Sequence, residues 1–321
     1  MTSLTSRRLA AVSAVALGLA ALGACGSSGG GGAAEAPGDQ ITMIVPFAAG
    51  GGSDLAGRAI AGGLEEVTGA TVSVENITGG SGAVGYGEFL ARQGDGTVLL
   101  SSETSLTTLP ILQDVPFTAE SFTPIMKVGE DYSVVVVDAD SEYQTCNDVV
   151  DAAGEISVGT SGTSGPETIA WRIVQDSQDV TFDFVNYESG GEVVAGLMGG
   201  HIQVAALNPG EVMGQLESGD LRGLCAFAPE RYEYPILEDI PTGVEQGLDV
   251  TIAQWRGFIA AGEISEEHRQ YWIEQGRAFA ETDAYDAYVE ENLLQPAVAY
   301  GDEFASYLQE YDEQAREALG E

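Results

Sequence analysis

Hydrophobic positions along the chain follow two rhythms. Short runs with apolar residues at every position or every second one alternate with longer stretches that repeat every three to four, and the pattern begins at residue 40. "QITMIVPF" reads as a strand that stops at Pro46. "SDLAGRAIAGGLEEVTG" reads as a helix with Ser53 at its N-cap and Asp54 in its first turn. "TVSVENI" alternates like a strand, "SGAVGYGEFLARQ" is a short helix and "GTVLLSSE" is another strand. This order predicts a parallel sheet with helices on its faces. "DYSVVVVDADS", residues 131–141, has the β-branched run of a buried strand or of a crossing between lobes. A second α/β set follows: "CNDVVDAAGE" helical, "ISVGT" strand, "GPETIAWRIVQDS" helix, "VTFDFVNY" strand, "GGEVVAGLMGG" helix, "IQVAAL" strand, "GEVMGQLESG" helix and "LRGLCAFA" strand. The last third holds "IAQWRGFIAAG" and then helices from Glu266 onward, among them "AYDAYVEENL" and "EFASYLQEYDEQAREAL" with the spacing of surface helices.

Each α/β set contains a strand, a turn rich in small residues and a helix. The first turn is Phe47, Ala48, Ala49, Gly50, Gly51, Gly52, with Ser53 and Asp54 opening the helix. The second is Gly159, Thr160, Ser161, Gly162, Thr163, Ser164, with Pro166 and Glu167 suited to a first helical turn. A helix N-terminus carries unpaired N–H groups and the positive end of its dipole, and glycines let a ligand approach the backbone. Two such turns facing each other across a cleft would hold a carboxylate or similar oxyanion without a cationic side chain. The hydroxyls of Thr160, Ser161, Thr163 and Ser164 would add donors. Plain turn formation accounts for the same glycines and serines equally well.

The start of the chain is of a different kind. Arg7 and Arg8 precede an apolar core, Leu9 to Ala24, too short for a stable spanning helix. "LGAC" ends it, and small residues before a cysteine resemble a bacterial lipoprotein cleavage site, with Cys25 as the lipid-bearing first residue. The alternative is an ordinary secretory signal that contains a cysteine; "SRRLA" hints weakly at twin-arginine export. "GSSGGGGAAEAPGD" has the composition of a flexible tether. No later run of apolar residues is long enough to span a bilayer.

Charge narrows the partners. The chain carries 50 Asp+Glu against 12 Lys+Arg, a formal net charge of −38, and the remainder after Arg7 and Arg8 is more acidic still. Nucleic acid and anionic membrane surfaces are disfavoured as partners. An anionic ligand would be opposed at long range, so short-range hydrogen bonds would have to hold it. With Cys25 assigned to lipid, Cys146 and Cys225 remain in an oxidising compartment, where a disulfide between them or two buried thiols are the alternatives. A bridge would close a loop of about 80 residues and contribute about 4 kcal/mol by the chain-entropy model.

Other motifs carry little chemistry. "GSGAVG", Gly80 to Gly85, fits the dinucleotide pattern and Glu103 follows 18 residues later, but an exported chain meets no nicotinamide pool and helix–sheet packing explains the glycines. No G-x-S-x-G elbow occurs. His201 sits at a turn and His268 on an acidic helix, with no spacing that suggests a transition-metal site. No metal and no cofactor is expected.

The quoted turns also resemble a known family. "VPFAAGGGSDLAGRAIA", "VENITGGSGAVGYGEFLARQGDGTVLL", "VGTSGTSGPETIA", "VNYESGGEVVAGLMGGHIQVAALNPGEV", "GDLRGLCAFAPERYEYPILEDIPTGVEQGL" and "WRGFIAAGEISEEHRQYW" occur in the order found in tripartite tricarboxylate transporter receptors, the Bug/TctC-type solute-binding proteins. The resemblance covers residues 40–321. It implies an α/β, two-lobed periplasmic-binding-protein-like (type II) fold with a ligand cleft between the lobes, and no catalysis. The lobes would be 40–130 plus 230–321 and 131–229, after a lipoprotein signal peptide at 1–24 and a tether at 25–39. The implied ligand is a small organic carboxylate, clamped by the two turns and delivered to membrane transporter subunits by a receptor anchored outside the cytoplasm. Ser81, Gly82, Ala83, Ser102, Tyr187 and Asn208 would shape the rest of the pocket, and Arg256 or Arg172 would take any second carboxylate. The chain departs from the family at Thr168, where a histidine is usual, in "HIQVAALN", which lacks a common aspartate, and at "AGEIS", which replaces a proline-rich stretch. Those departures bear on the distal end of the ligand. An exported hydrolase or lyase on a similar scaffold is the alternative, as is a ligand sensor feeding a signalling partner.

Overall fold

The computed structural model describes residues 36–50, 52–161, 165–187 and 189–320. The expected leader at 1–24, the lipidation site Cys25 and most of the tether lie outside them. The chain runs through β1 (Gln40–Val45), α1 (Gly52–Thr68), β2 (Thr71–Asn76), α2 (Ala83–Leu90), β3 (Val98–Glu103), α3 (Ser105–Leu112) and β4 (Thr123–Tyr132). It continues into β5 (Val134–Asp138), α4 (Cys146–Asp151), β6 (Ser157–Thr160), α5 (Pro166–Gln178), β7 (Asp183–Asn186), α6 (Gly190–Met198), β8 (Val204–Leu207), α7 (Pro209–Ser218) and β9 (Leu221–Ala226). It ends with β10 (Ala253–Ala260), α8 (Glu266–Phe279), α9 (Asp283–Glu291), β11 (Ala299–Tyr300) and α10 (Asp302–Leu319).

Two sheets form two lobes. Their strand orders are β11-β4-β10-β3-β1-β2 and β7-β6-β8-β5-β9. The βαβ units pair in parallel as the sequence predicts: β1 with β2 and β3, and β6 with β7 and β8. Both sheets are nevertheless mixed, because β10 runs antiparallel to β3 and β4, and β5 antiparallel to β8 and β9. The antiparallel strands carry the chain between lobes. β4 leaves the first sheet and β5 enters the second with only Ser133 between them, so the β-branched run is both a buried strand and a crossing. Tyr232 pins this crossing: its hydroxyl accepts the Tyr132 N–H at 2.6 Å and donates to the Tyr132 carbonyl at 2.9 Å.

Residues 240–246, grouped with the first lobe by the sequence, lie against the second sheet. Ile240 packs over Gly223, and the Gln246 side chain accepts the Cys146 N–H and donates to the Leu224 carbonyl. α10 buries Phe304, Leu308, Tyr311 and Ala315, one stripe at helical spacing, and packs on α3 and β4 of one lobe and on α5 of the other. Full burial of each large apolar side chain contributes roughly 1.5–3 kcal/mol. Cys146 and Cys225 are joined in a disulfide, with Cα atoms 6.0 Å apart and a sequence separation of 79, tying α4 to β9.

Candidate ligand-binding site

The first turn is held by an acid folded back from the helix it precedes. Gly50 has φ +87°, a conformation glycine takes without strain. Its N–H donates to Asp54 Oδ2 at 2.8 Å. Arg58 Nε donates to the same oxygen at 2.9 Å, and Asn76 Nδ2 bridges Asp54 Oδ1 at 2.9 Å and the Phe47 carbonyl at 3.0 Å. Asp54 is buried, and the Arg58 hydrogen bond, with those from Gly50 and Asn76, pulls its pKa down to about 2. Both carboxylate oxygens of Asp54 are thus engaged in bracing the turn. Ala48, Ala49, Gly50 and Gly52 form an exposed lip, with Phe47 half-buried behind it. The helix begins at Gly52, so Ser53 falls inside the first turn; its hydroxyl donates to Glu103 instead of capping.

The second turn repeats the device. Ser161 donates its N–H and its hydroxyl to Glu167 Oε1, at 3.2 and 2.6 Å, and Glu167 lies buried in the first turn of α5. Burial pushes the Glu167 carboxyl up to about 7. Two of the four hydroxyls expected to reach a ligand are thereby directed elsewhere: Thr160 Oγ1 donates to Asn186 Oδ1 at 2.8 Å, and Ser161 to Glu167. Gly159 belongs to the core, since a Cβ there would meet Ile202 at 2.2 Å. Gly51, Gly162, Thr163 and Ser164 lie outside the described residues.

Beside the first turn lies a charged cluster that the sequence did not single out as such. Arg256, on β10, is buried, with Nη1 3.7 Å from Glu103 Oε2 and Nη2 3.6 Å from Asp131 Oδ2. A Cβ placed on Gly52 would stand 3.8 and 3.9 Å from its two terminal nitrogens. The guanidinium therefore sits at the positive end of α1. Burial opposes its charge, but Asp131, Tyr288, Glu103 and Glu211 outweigh that and raise its pKa. Asp131 is pushed up by burial to about 6, against the pull of Arg256 and with help from Glu211 and Glu103. Burial likewise raises Glu103 and Glu211. Glu211 comes from the other lobe, at the start of α7, where it accepts the Asn208 N–H at 3.3 Å and lies against Gly190 at the start of α6. The residue as a whole is exposed, while its carboxylate is crowded by the start of α6, which is where the desolvation acts.

Residues 56–317 match the family described as the tripartite tricarboxylate transporter family receptor, TctC. The chain belongs to this family. A UPF0065 protein of Agrobacterium vitis is 28% identical over 233 residues, which are 70% of this chain and 66% of that protein. The crystal structure of a TctC solute-binding protein from Polaromonas superposes with a TM-score of 0.75 at 25% identity, covering 88% of this chain and 98% of that one. The fold is shared with R. palustris Rpa4515, described with adipate, at a TM-score of 0.77 and 20% identity over 88% of this chain and 97% of that one. The family is described as one of receptors, and no helix among the described residues is long and apolar enough to cross a membrane.

The remaining expected pocket residues of the receptor divide into rim and scaffold. Ser81, Gly82 and Ala83 lie where a 3-10 turn, Gly80–Gly82, enters α2; Gly80, Ser81 and Gly82 all have positive φ, and the Phe47 ring lies over Gly82. A Cβ on Gly85 would meet Pro46 at 2.7 Å, so the G-x-G-x-x-G spacing reflects turn geometry and close packing. Ser102 is buried beneath the rim, its hydroxyl 3.1 Å from that of Tyr86. Tyr187 lays its hydroxyl against Gly196, along α6, while Asn208 stands at the N-cap of α7 beside Glu211. Arg172 is exposed on α5. His268 packs on Gly96 and His201 beside Gly199. Among the described residues no group of His, Cys, Asp or Glu forms a metal site. Arg256, Asp131 and Glu103 had a sequence signal: ionisable residues in or ending apolar strands, in "AQWRGFIA", "EDYSVVVV" and "VLLSSE".

Proposed function

We propose that the chain is an extracytoplasmic lipoprotein receptor that captures a small carboxylate between its lobes and delivers it to the membrane subunits of a tripartite tricarboxylate-type transporter. The observation that carries this reading is the placing of the Arg256 guanidinium at the N-terminus of α1. A helix N-terminus and a buried guanidinium both favour an anion, and a carboxylate matches the fork of arginine. The reading amends the expectation of a clamp free of cationic side chains. Phe47, Ala48, Ala49, Gly50 and Gly52 would form one lip and the Gly80–Ala83 turn another. Membership of the family and a fold neighbour described with adipate support the ligand class. Lipid attachment at Cys25 would hold the receptor at the membrane, with two or more acyl chains needed for stable anchoring.

A thermal-shift panel of small organic acids, followed by calorimetry, tests the reading. One-to-one binding without turnover is expected. If no acid in the panel binds, the receptor reading fails. Metabolic labelling with a fatty-acid probe, lost in Cys25→Ala, tests the anchor.

A further inference from the structure

We infer that α10 is a strap behind the hinge whose last turns oppose closure of the cleft, so that Gln314 and Thr251 help to set the affinity of a site they do not touch. This rests on the receptor reading above and adds a determinant of its affinity.

The two faces of the outgoing crossing have different partners. Successive side chains of a strand point to opposite faces, and Asp131 turns to Arg256. Its neighbour Glu130 turns the other way, to α10. Glu130 Oε2 accepts Lys127 Nζ at 2.5 Å and the Tyr307 hydroxyl at 3.2 Å, and Oε1 accepts the Tyr132 hydroxyl at 2.8 Å. The Lys127 ammonium also stands 3.6 Å from the centre of the Tyr307 ring. The Gly301 N–H donates to the Ile125 carbonyl, and Phe304 meets Trp255, next to Arg256 on β10, edge to face. The first turns of α10 are thus fixed to the first sheet, on the face opposite Arg256.

The helix then carries on past that lobe. Its 18 residues span about 27 Å and include no glycine or proline at which to bend. The later turns overhang the return crossing, where the Tyr311 hydroxyl donates to the Ala253 carbonyl at 2.8 Å and Gln314 Nε2 to the Thr251 carbonyl at 2.7 Å. Beyond Gln314, Glu317 and Ala318 share a groove with Ile173 and Ser177 of α5. That is the end of α5 remote from the Ser161–Glu167 turn. Between α10 and the two crossings lies a cavity of about 170 Å³, with Tyr132, Thr251, Ala253, Tyr307 and Gln314 in its wall.

This arrangement is a lever. A rotation about the crossings that brings the second lobe towards Arg256 carries it away from the overhang on the opposite face. The Gln314–Thr251 bond and the contact of α10 with α5 are made in the structure and stretched by closure. A ligand shifts the lobes only by its differential affinity for the two states, so the free energy of those contacts is subtracted from binding. Bulk added at the cavity acts in the opposite sense: it holds the back of the hinge apart and favours the closed state.

The test uses the full chain in detergent and linear mono- and dicarboxylates of three to six carbons as probes. Gln314 is exposed and Thr251 half-buried, so neither substitution opens the core. Gln314→Ala removes the bond to the return crossing, and Thr251→Trp adds bulk behind the hinge. Each is expected to bind the acid that wild type binds at least about threefold more tightly by calorimetry, with slower dissociation. Small-angle scattering is expected to move the radius of gyration of each ligand-free variant towards that of acid-bound wild type. A merely structural role would lower Tm without tightening binding or moving that radius. Equal or weaker binding by folded Gln314→Ala overturns the strap while the receptor reading stands. Failure of wild type to bind any acid overturns both.

Discussion

Arg256 and Glu103 are cross-strand partners on β10 and β3, with Nη1 3.7 Å from Oε2, and the same carboxylate accepts the hydroxyl of Ser53 from the start of α1. One buried pair thus links the sheet to the helix end that would receive an anion. Replacing Arg256 by Met leaves Glu103 and Asp131 buried without a counter-charge, and breaking a buried pair in this way costs about 3–5 kcal/mol. Urea denaturation is expected to show that loss. Arg256→Lys keeps the charge but not the planar fork. It is expected to retain most of the stability and to weaken ligand binding at least about tenfold, measured by calorimetry. Unchanged affinity in the Lys variant would remove Arg256 from the site.

Asp54 makes a separate prediction, because its role is to hold the turn. Asp54→Asn keeps the shape but loses the ion pair with Arg58 and weakens the bond to the Gly50 N–H. The expected cost is about 1–3 kcal/mol, as for a buried charge-assisted hydrogen bond. Hydrogen exchange at Gly50 should quicken by more than the global loss of stability explains. Equal acceleration throughout the chain would contradict a local brace.

Much of this was legible in the sequence, and what was not has definite causes. Strand and helix periodicity located β1, α1, β2 and the second α/β set, because each element buries one face and repeats accordingly. α3 was not anticipated: "SLTTLPIL" has two β-branched threonines and an internal proline, which weaken any helical signal. The antiparallel strands were hidden because direction depends on how the chain crosses between lobes, which a local pattern does not record. At the site, glycine-rich turns were readable but the fate of their hydroxyls was not. Ser161 and Thr160 find Glu167 and Asn186 only in the folded chain, six and 26 positions away. Arg256 meets Gly52 across some two hundred residues, and only a charge inside an apolar strand announced it.

The disulfide gives a prediction about the second lobe. Cys146 and Cys225 close a loop with a sequence separation of 79, for which chain entropy predicts about 4 kcal/mol. Reduction, or Cys146→Ala with Cys225→Ala, is expected to lower Tm by roughly 10 °C. Because the bridge ties α4 to β9 of the second sheet while Arg256 and α1 belong to the first, affinity at a temperature where the variant is folded should change less than about threefold. A large loss of affinity in a folded variant would show that the bridge shapes the cleft.

Acidity should stabilise the ligand-free receptor, contrary to the usual behaviour of salt-bridged carboxylates. Burial raises Glu167 from 4.5 to about 7 and Asp131 from 3.8 to about 6. The folded state therefore binds protons that the unfolded chain releases, and stability falls as pH rises across that interval. The contribution is complete below about pH 4 and is lost by about pH 7. For Glu167 it is on the order of 3 kcal/mol. The overall negative charge acts in the same direction, so wild-type protein alone does not isolate the effect. Glu167→Gln does, because the amide oxygen still accepts from Ser161 while the ionisation is gone. Thermal unfolding is expected to place the variant above wild type at pH 8, with the gap closing towards pH 4.5. A constant gap across that range would mean that Glu167 does not titrate as a buried acid.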